Sequence, residues 1–376
     1  MNKYFILATA AVIAMCACTK NDVSFPAREI SFQAVNSVGQ TKALDGTTAF
    51  THDSFGVYAW SEGTQGYFMD NETISEKQDG KWTPSATYYW PKDSYVRFVS
   101  YYPREDAGSY ITIAEDEIIY KDVDVAANQV DLMFADKTVY NGYPTGGAAA
   151  TDVPIIFRHA LSQLNIQTRL AYESKVNKNA DGTVKDNYRW EVEITGIRLV
   201  NISYEGSLDI FNSAPGVNEE GTYTWNMPEN RVWEASEKVA AIPCEGEGPI
   251  ASSRYTTVLS DYFVLPQALK DQAIEFTFNV KTYRGVGEAA PTLFLSEVGV
   301  VKTVPFATVT SIPAWRINQA TTYVFALAPT AGAGSDPSDP SKPIDPNDPY
   351  LQDVEVLFDP AVVGWTSVVG GASVAI

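Results

Sequence analysis

Apolar and polar residues alternate along much of this chain, and the period is two rather than 3.6, which predicts strands with one buried face. In Glu29–Ala34 the sequence EISFQA puts Ile30, Phe32 and Ala34 on one face and Glu29, Ser31 and Gln33 on the other. Further strands are predicted over Phe55–Trp60, Tyr95–Tyr102, Val153–Phe157, Leu164–Leu170, Trp190–Val200, Tyr255–Leu265, Ala273–Tyr283 and Thr321–Ala328. Turn signals such as Ala180-Asp181-Gly182 separate them, and Gly146–Ala150 marks a candidate domain boundary. Helical periodicity is almost absent; Ala160–Gln163 is read as a single helical turn. The pattern predicts an all-β protein of two β-sandwiches.

The alternation returns at the C-terminus, at Val354, Val356, Phe358, Val362 and Val368, with Trp365 among them. Pro360 cannot donate to a ladder, so two short strands with a break are expected. In front of them Gly334–Pro349 holds four Asp-Pro pairs and reads as a solvated, extended linker. At about 3.3 Å per residue, segment 330–376 can span up to about 150 Å. The terminal strands can therefore complete their own sheet or be added to another molecule's by β-augmentation.

Composition adds an address. Residues 1–17 form a signal peptide, with Lys3 ahead of an apolar stretch from Tyr4 to Met15. Met15-Cys16-Ala17-Cys18 resembles a bacterial lipobox, in which Cys18, preceded by a small residue, receives the lipid; ordinary signal cleavage is the alternative. Acyl chains, palmitate among them, would hold the protein stably at a membrane surface. Cys244 then remains alone, so no intramolecular disulfide forms. The formal charge of −19 argues against nucleic acid as a partner, because phosphate binding needs Lys and Arg.

Candidate chemistry is sparse. The two histidines, His52 and His159, lack ligand spacing, and His159 is expected to hydrogen-bond within its domain. Gly285-x-Gly287-x-x-Ala290 mimics a dinucleotide turn, but Pro291 follows and the segment reads as a hairpin loop. Asp336, Asp339, Asp345 and Asp348 lack the Gly and Glu that close a calcium loop. Trp60, Trp82, Tyr88 and Tyr89 suit sugar stacking or, more commonly, core packing. No enzyme motif and no cofactor or metal site is recognised, so function is expected in surfaces and strands.

Five blocks occur in order: TYYWPKDSYVRFVSYYP (Thr87–Pro103), DLMFA (Asp131–Ala135), PIIFRHALSQLNI (Pro154–Ile166), FVLPQ (Phe263–Gln267) and WRINQATTYVF (Trp315–Phe325). Together they resemble the fimbrillins, lipoprotein-derived subunits of type V pili in Bacteroidales-type anaerobes. The resemblance implies two tandem transthyretin-like β-sandwich domains with a C-terminal donor-strand extension. The expected organisation is signal peptide 1–17; tether, first strand and cleavage loop 18–48; sandwiches 49–150 and 151–330; linker 331–352; and donor strands 353–376. It implies that a trypsin-like protease removes the first strand, with Ile30, Phe32 and Ala34. Donor residues Val354, Val356, Phe358, Val362, Trp365 and Val368 of another pilin subunit then fill the groove. Well-known members are cut after an arginine behind that strand. Here Arg28 precedes the strand, and Lys42 is the sole basic residue between Arg28 and Lys77, so cleavage is expected at Lys42–Ala43. The alternative is a non-polymerising surface lipoprotein that binds glycan or host protein.

Overall fold

In the computed structural model the described residues are 29–37, 47–62, 66–77, 80–91, 95–104, 111–114, 117–135, 138–141, 152–170, 174–210, 225–228, 231–235, 256–308, 312–328, 355–358 and 361–364. They form an all-β protein of several sheets, with a single 3-10 turn at Phe306–Thr308. The first half supplies β1 (Phe32–Ser37), β2 (Thr47–Ala49), β3 (Ser54–Ser61), β4 (Tyr67–Glu76) and β5 (Trp82–Pro84). It continues with β6 (Tyr95–Tyr102), β7 (Ile111–Ala114), β8 (Glu117–Asp124), β9 (Met133–Ala135), β10 (Thr138–Asn141) and β11 (Val153–His159). Nine of these make one sheet in the order β10-β6-β3-β4-β5-β1-β11-β9, with β2 beside β1. Because β9 also pairs with β6, through Tyr101↔Phe134 and Tyr102↔Met133, the sheet closes on itself.

The closed ring encloses one core, and its wall serves a second. Phe55, Val57 and Ala59 of β3, Val96 and Phe98 of β6, and Met133 and Ala135 of β9 point into the ring. Their alternates Trp60, Val99 and Phe134 belong to a second core outside it. This double duty explains why β3 and β6 are buried on both faces rather than on one.

The second half supplies β12 (Ser162–Leu170), β13 (Ser174–Lys178), β14 (Val184–Ile202), β15 (Glu205–Asp209), β16 (Trp225–Asn226) and β17 (Arg231–Ala235). Then come β18 (Thr256–Val264), β19 (Ala273–Val286), β20 (Thr292–Pro305), β21 (Gln319–Ala328), β22 (Glu355–Phe358) and β23 (Ala361–Gly364). One sheet runs β18-β12-β21-β22 with β23 also on β21, and another runs β13-β14-β19-β20 with β17 on β14. A four-stranded sheet, β16-β15-β8-β7, joins the halves, since β8 comes before the Gly146–Ala150 stretch and β15 after it. The second core is continuous from Trp60 through Tyr120 and Trp225 to Phe276 and Phe325.

The chain passes from the closed ring to the second half at Ala160 and Leu161. The helical turn expected over Ala160–Gln163 is not formed, and Ser162 and Gln163 are the first residues of β12. Long-range partners take the backbone instead. Ala160 N–H donates to Leu132 O (2.7 Å), Asn318 N–H to Leu161 O (3.2 Å), and Trp225 Nε1–H to Ala160 O (2.9 Å). Asn318, at φ 62, also accepts from His159 N–H through Oδ1 (3.2 Å).

Candidate functional site: the first strand and its slot

The alternation of EISFQA decides how the first strand sits. Ile30, Phe32 and Ala34 are buried to 6% exposure or less, while Glu29 and Gln33 face solvent. Pairing starts ahead of β1, with a bridge from Glu29 to Tyr89 and Ile30 N–H donating to Tyr88 O at 2.9 Å. β1 then runs parallel to β11, from Phe32↔Val153 to Asn36↔Phe157. On its other side it meets β5 at Phe32↔Trp82 and β2 from Val35↔Ala49 to Ser37↔Thr47, both antiparallel. Ser31 Oγ–H also donates to Asp152 Oδ1. The first strand is thus an internal strand, laddered on both edges.

Phe32 fills the floor of this slot. Its ring meets Phe55 and Phe98 edge-on, with centroids 6.3 and 5.5 Å away. Burying Ile30 and Phe32 contributes about 1.5–3 kcal/mol each, and each edge contact about 0.5–1.5 kcal/mol more. Phe50, just beyond β2, closes the neighbouring wall by stacking on Phe157 (4.7 Å, 26°) and meeting Trp82 edge-on. Only residues 38–46, outside the described residues, connect β1 to β2.

The other expected site residues divide as follows. Val356 and Phe358 lie in β22, opposite Leu327 and Phe325; Val362 lies in β23, opposite Thr321. Both strands run antiparallel along the edge of β21 that β12 leaves open, in the same chain. Cys18, Lys42, Ala43, Val354, Trp365 and Val368 lie outside the described residues. Of the aromatics, Trp60 and Trp82 are buried, whereas Tyr89 is 48% exposed.

The fold also assembles a cluster that spacing did not reveal. The two histidines converge on one carboxylate: His159 Nδ1 lies 2.7 Å from Asp131 Oδ1, and His52 Nε2 lies 3.7 Å from Asp131 Oδ2. His52 stacks on Tyr102 at 3.9 Å, beside the Phe50 wall. Burial alone would raise the Asp131 carboxyl, but hydrogen bonding and charge from His159 and His52 outweigh it and hold it below the usual carboxylate range. Asp131 opens the DLMFA block and His159 sits in PIIFRHALSQLNI, so the signal lay in the two blocks taken together. Among the described residues no group of His, Cys, Asp and Glu is arranged to hold a metal ion. A pocket of about 470 Å³ is lined by Asp122, Asp124, Glu205, Ser207 and Asn226, with no aromatic side chain among the described residues of its wall.

No curated protein matches the chain significantly. A fimbrial protein from Bacteroides vulgatus has the same fold at 14% identity and a TM-score of 0.53, with 90% of this chain and 100% of that chain covered. A candidate cell adhesion protein from Bacteroides uniformis aligns at 16% identity and a TM-score of 0.46, over 90% of this chain and 98% of that one. Residues 41–288 match the family described as Fimbrillin-like. That stretch is more than half of the chain, and the protein belongs to the fimbrillin-like family.

Proposed function

We propose that the protein is a structural pilin, exported as a lipoprotein through Cys18, activated by proteolysis and polymerised by strand exchange into surface pili for adhesion. The observation that carries this reading is the place of β1. It is built into the closed ring on both edges, yet its covalent link to the rest of the ring is the segment 38–46. A trypsin-like cut at Lys42–Ala43 leaves β2 with the body and frees the peptide bearing Ile30, Phe32 and Ala34. The vacated slot, floored by Phe55 and Phe98, suits a strand that alternates as Val354, Val356 and Phe358 do. Val362, Trp365 and Val368 extend the donor past Pro360. In this reading the two halves are tandem transthyretin-like domains. Partners are other pilin subunits, the processing protease and, before processing, the outer membrane. Family membership supports a fimbrial or adhesion role at the cell surface and assembly with other subunits.

The test is N-terminal sequencing of the surface form, paired with electron microscopy. An N-terminus at Ala43 in fibres supports the cut; assembled fibres that retain Cys18 rule it out. A second reading, a non-polymerising surface lipoprotein that binds glycan or host protein, draws on one observation. β22 and β23 pair with their own β21. Trp60 and Trp82, buried, cannot form its sugar platform. Absence of fibres after trypsin treatment would favour that reading.

A further inference from the structure

The strongest unassigned feature lies in the sheet of the second half that does not carry β22 and β23. β20 is a 14-residue strand at the end of the order β13-β14-β19-β20, and no described strand pairs with its outer edge. Four of its side chains are exposed large hydrophobics: Leu293, Phe294, Val298 and Val301. Long apolar edge strands are templates for another strand, and proteins usually blunt them with charge, proline or a bulge. β20 has a bulge at its centre, where Asn279 of β19 faces both Val298 and Gly299, and Gly299 takes φ +70.

That bulge makes the strand self-complementary. Three positions apart in a regular strand, Val298 and Val301 would point to opposite faces. The extra residue returns them to the same outer face, across from Asn279 and Thr277 of β19, and they are 79% and 54% exposed. Glu297 and Lys302 lie opposite Val280 and Phe276, on the inner face. Place a second β20 antiparallel to the first, with a two-fold axis at Val300 and Gly299 as the extra residue of each bulge. Val298 then meets Val301, Glu297 meets Lys302, Ser296 meets Thr303 and Leu295 meets Val304. Every one of these pairs matches in chemistry, and both members of each share a face. The strand's one negative and one positive charge each find the opposite sign across the axis, giving two charge pairs per dimer. The lysine that would normally deter edge pairing is answered by the partner's glutamate.

We propose that β20 is a homotypic docking edge, and that two copies of this chain join through it into one continuous sheet about a two-fold axis. The occupant is a second copy because the complementarity is internal to one strand; an unrelated strand would match Val298–Gly299–Val300–Val301 without matching Glu297 and Lys302 together. The contact is independent of the first strand and of β22–β23, and it closes at two copies instead of growing open-ended.

The test is sedimentation equilibrium of the full, uncleaved chain over a concentration series. The expected result is a monomer–dimer equilibrium. Val298→Asp should abolish the dimer while leaving the circular dichroism spectrum and thermal midpoint unchanged, because the side chain is exposed. Glu297→Lys and Lys302→Glu should each weaken association about tenfold by setting like charges opposite one another. The double variant Glu297→Lys/Lys302→Glu should restore it, a rescue that a merely structural role for either residue does not produce. A chain that stays monomeric throughout, or a dimer indifferent to Val298→Asp, overturns the proposal. So does a dimer weakened by both single charge reversals but not rescued by the double variant.

Discussion

The first and the last described strands are all short, and the sheets hold them in opposite ways. β1 is internal: β11 pairs with one edge, β2 and β5 with the other, and its apolar face is buried against Phe55 and Phe98. β22 and β23 are additions to a rim, paired with β21 alone. An internal strand is shared by the whole sheet, so its loss is felt globally; a rim strand leaves behind an edge that water can satisfy. β1 is therefore part of the first core, and β22 and β23 are attached to the margin of a sheet. Four experiments test this contrast.

The largest effect is expected at Phe32. Phe32→Ala should lower the unfolding free energy by about 3–5 kcal/mol, measured by urea denaturation, since the cavity is lined by rigid aromatic rings. A loss near zero would mean that β1 does not share the core. Next comes the wall beside the strand. Asp131→Asn removes the carboxylate that both histidines face and should cost about 1–3 kcal/mol at neutral pH. The sign of the pH dependence follows from the lowered carboxyl. Its contribution is fully present above the unfolded value of about 3.9 and is lost as pH falls through the lower native value. The Asn variant should therefore show a flatter loss of stability below about pH 4 than the parent chain.

Deleting 353–376 tests the rim. The body should keep its stability to within about 1 kcal/mol, because ordering the strands offsets most of what one ladder contributes. Polymers should vanish while a soluble, folded monomer remains; unfolding of the second half would reverse the comparison. The smallest thermodynamic effect belongs to Lys42→Gln, within about 0.5 kcal/mol, yet it should leave the chain full-length and lipid-anchored on the cell surface. Immunoblotting for the uncut form measures it.

Much of this was legible in the sequence because one face of a strand is a local property. Ile30, Phe32 and Ala34 could be assigned inward from alternation alone, and the all-β class followed from repetition of the same pattern. Strands with distant partners or a broken period were harder. β8 was not anticipated, because Glu117–Asp124 alternates across a sheet that pairs segments some 85 residues apart. β20 escaped because its apolar residues come in runs, Leu293–Leu295 and Val300–Val301, on either side of a bulge that resets the period. The turn at Ala160–Gln163 was misread because its backbone partners, Leu132, Trp225 and Asn318, are all distant in sequence. The same holds for Asp131, whose meaning depends on two histidines that no spacing rule connects. FVLPQ had a reason only the fold supplies: the Gln267 amide accepts from Ser203 N–H (3.1 Å) and donates to Ser203 O (3.0 Å).

The passage through Ala160 and Leu161 has a mechanical consequence. Five parallel register pairs couple β1 to β11, and nine couple β12 to β21, while β11 and β12 are one covalent run broken only at that bend. Tension entering along β1 and leaving along β21 therefore crosses both ladders in shear. Inter-strand hydrogen bonds lie across the strands, so pulling along them loads the whole row at once instead of opening it bond by bond. The molecule resists stretching as a lap joint does, by the overlap of its plates, and at the two-residue bend the β8–β15 pairing and the shared core take up load beside the covalent chain.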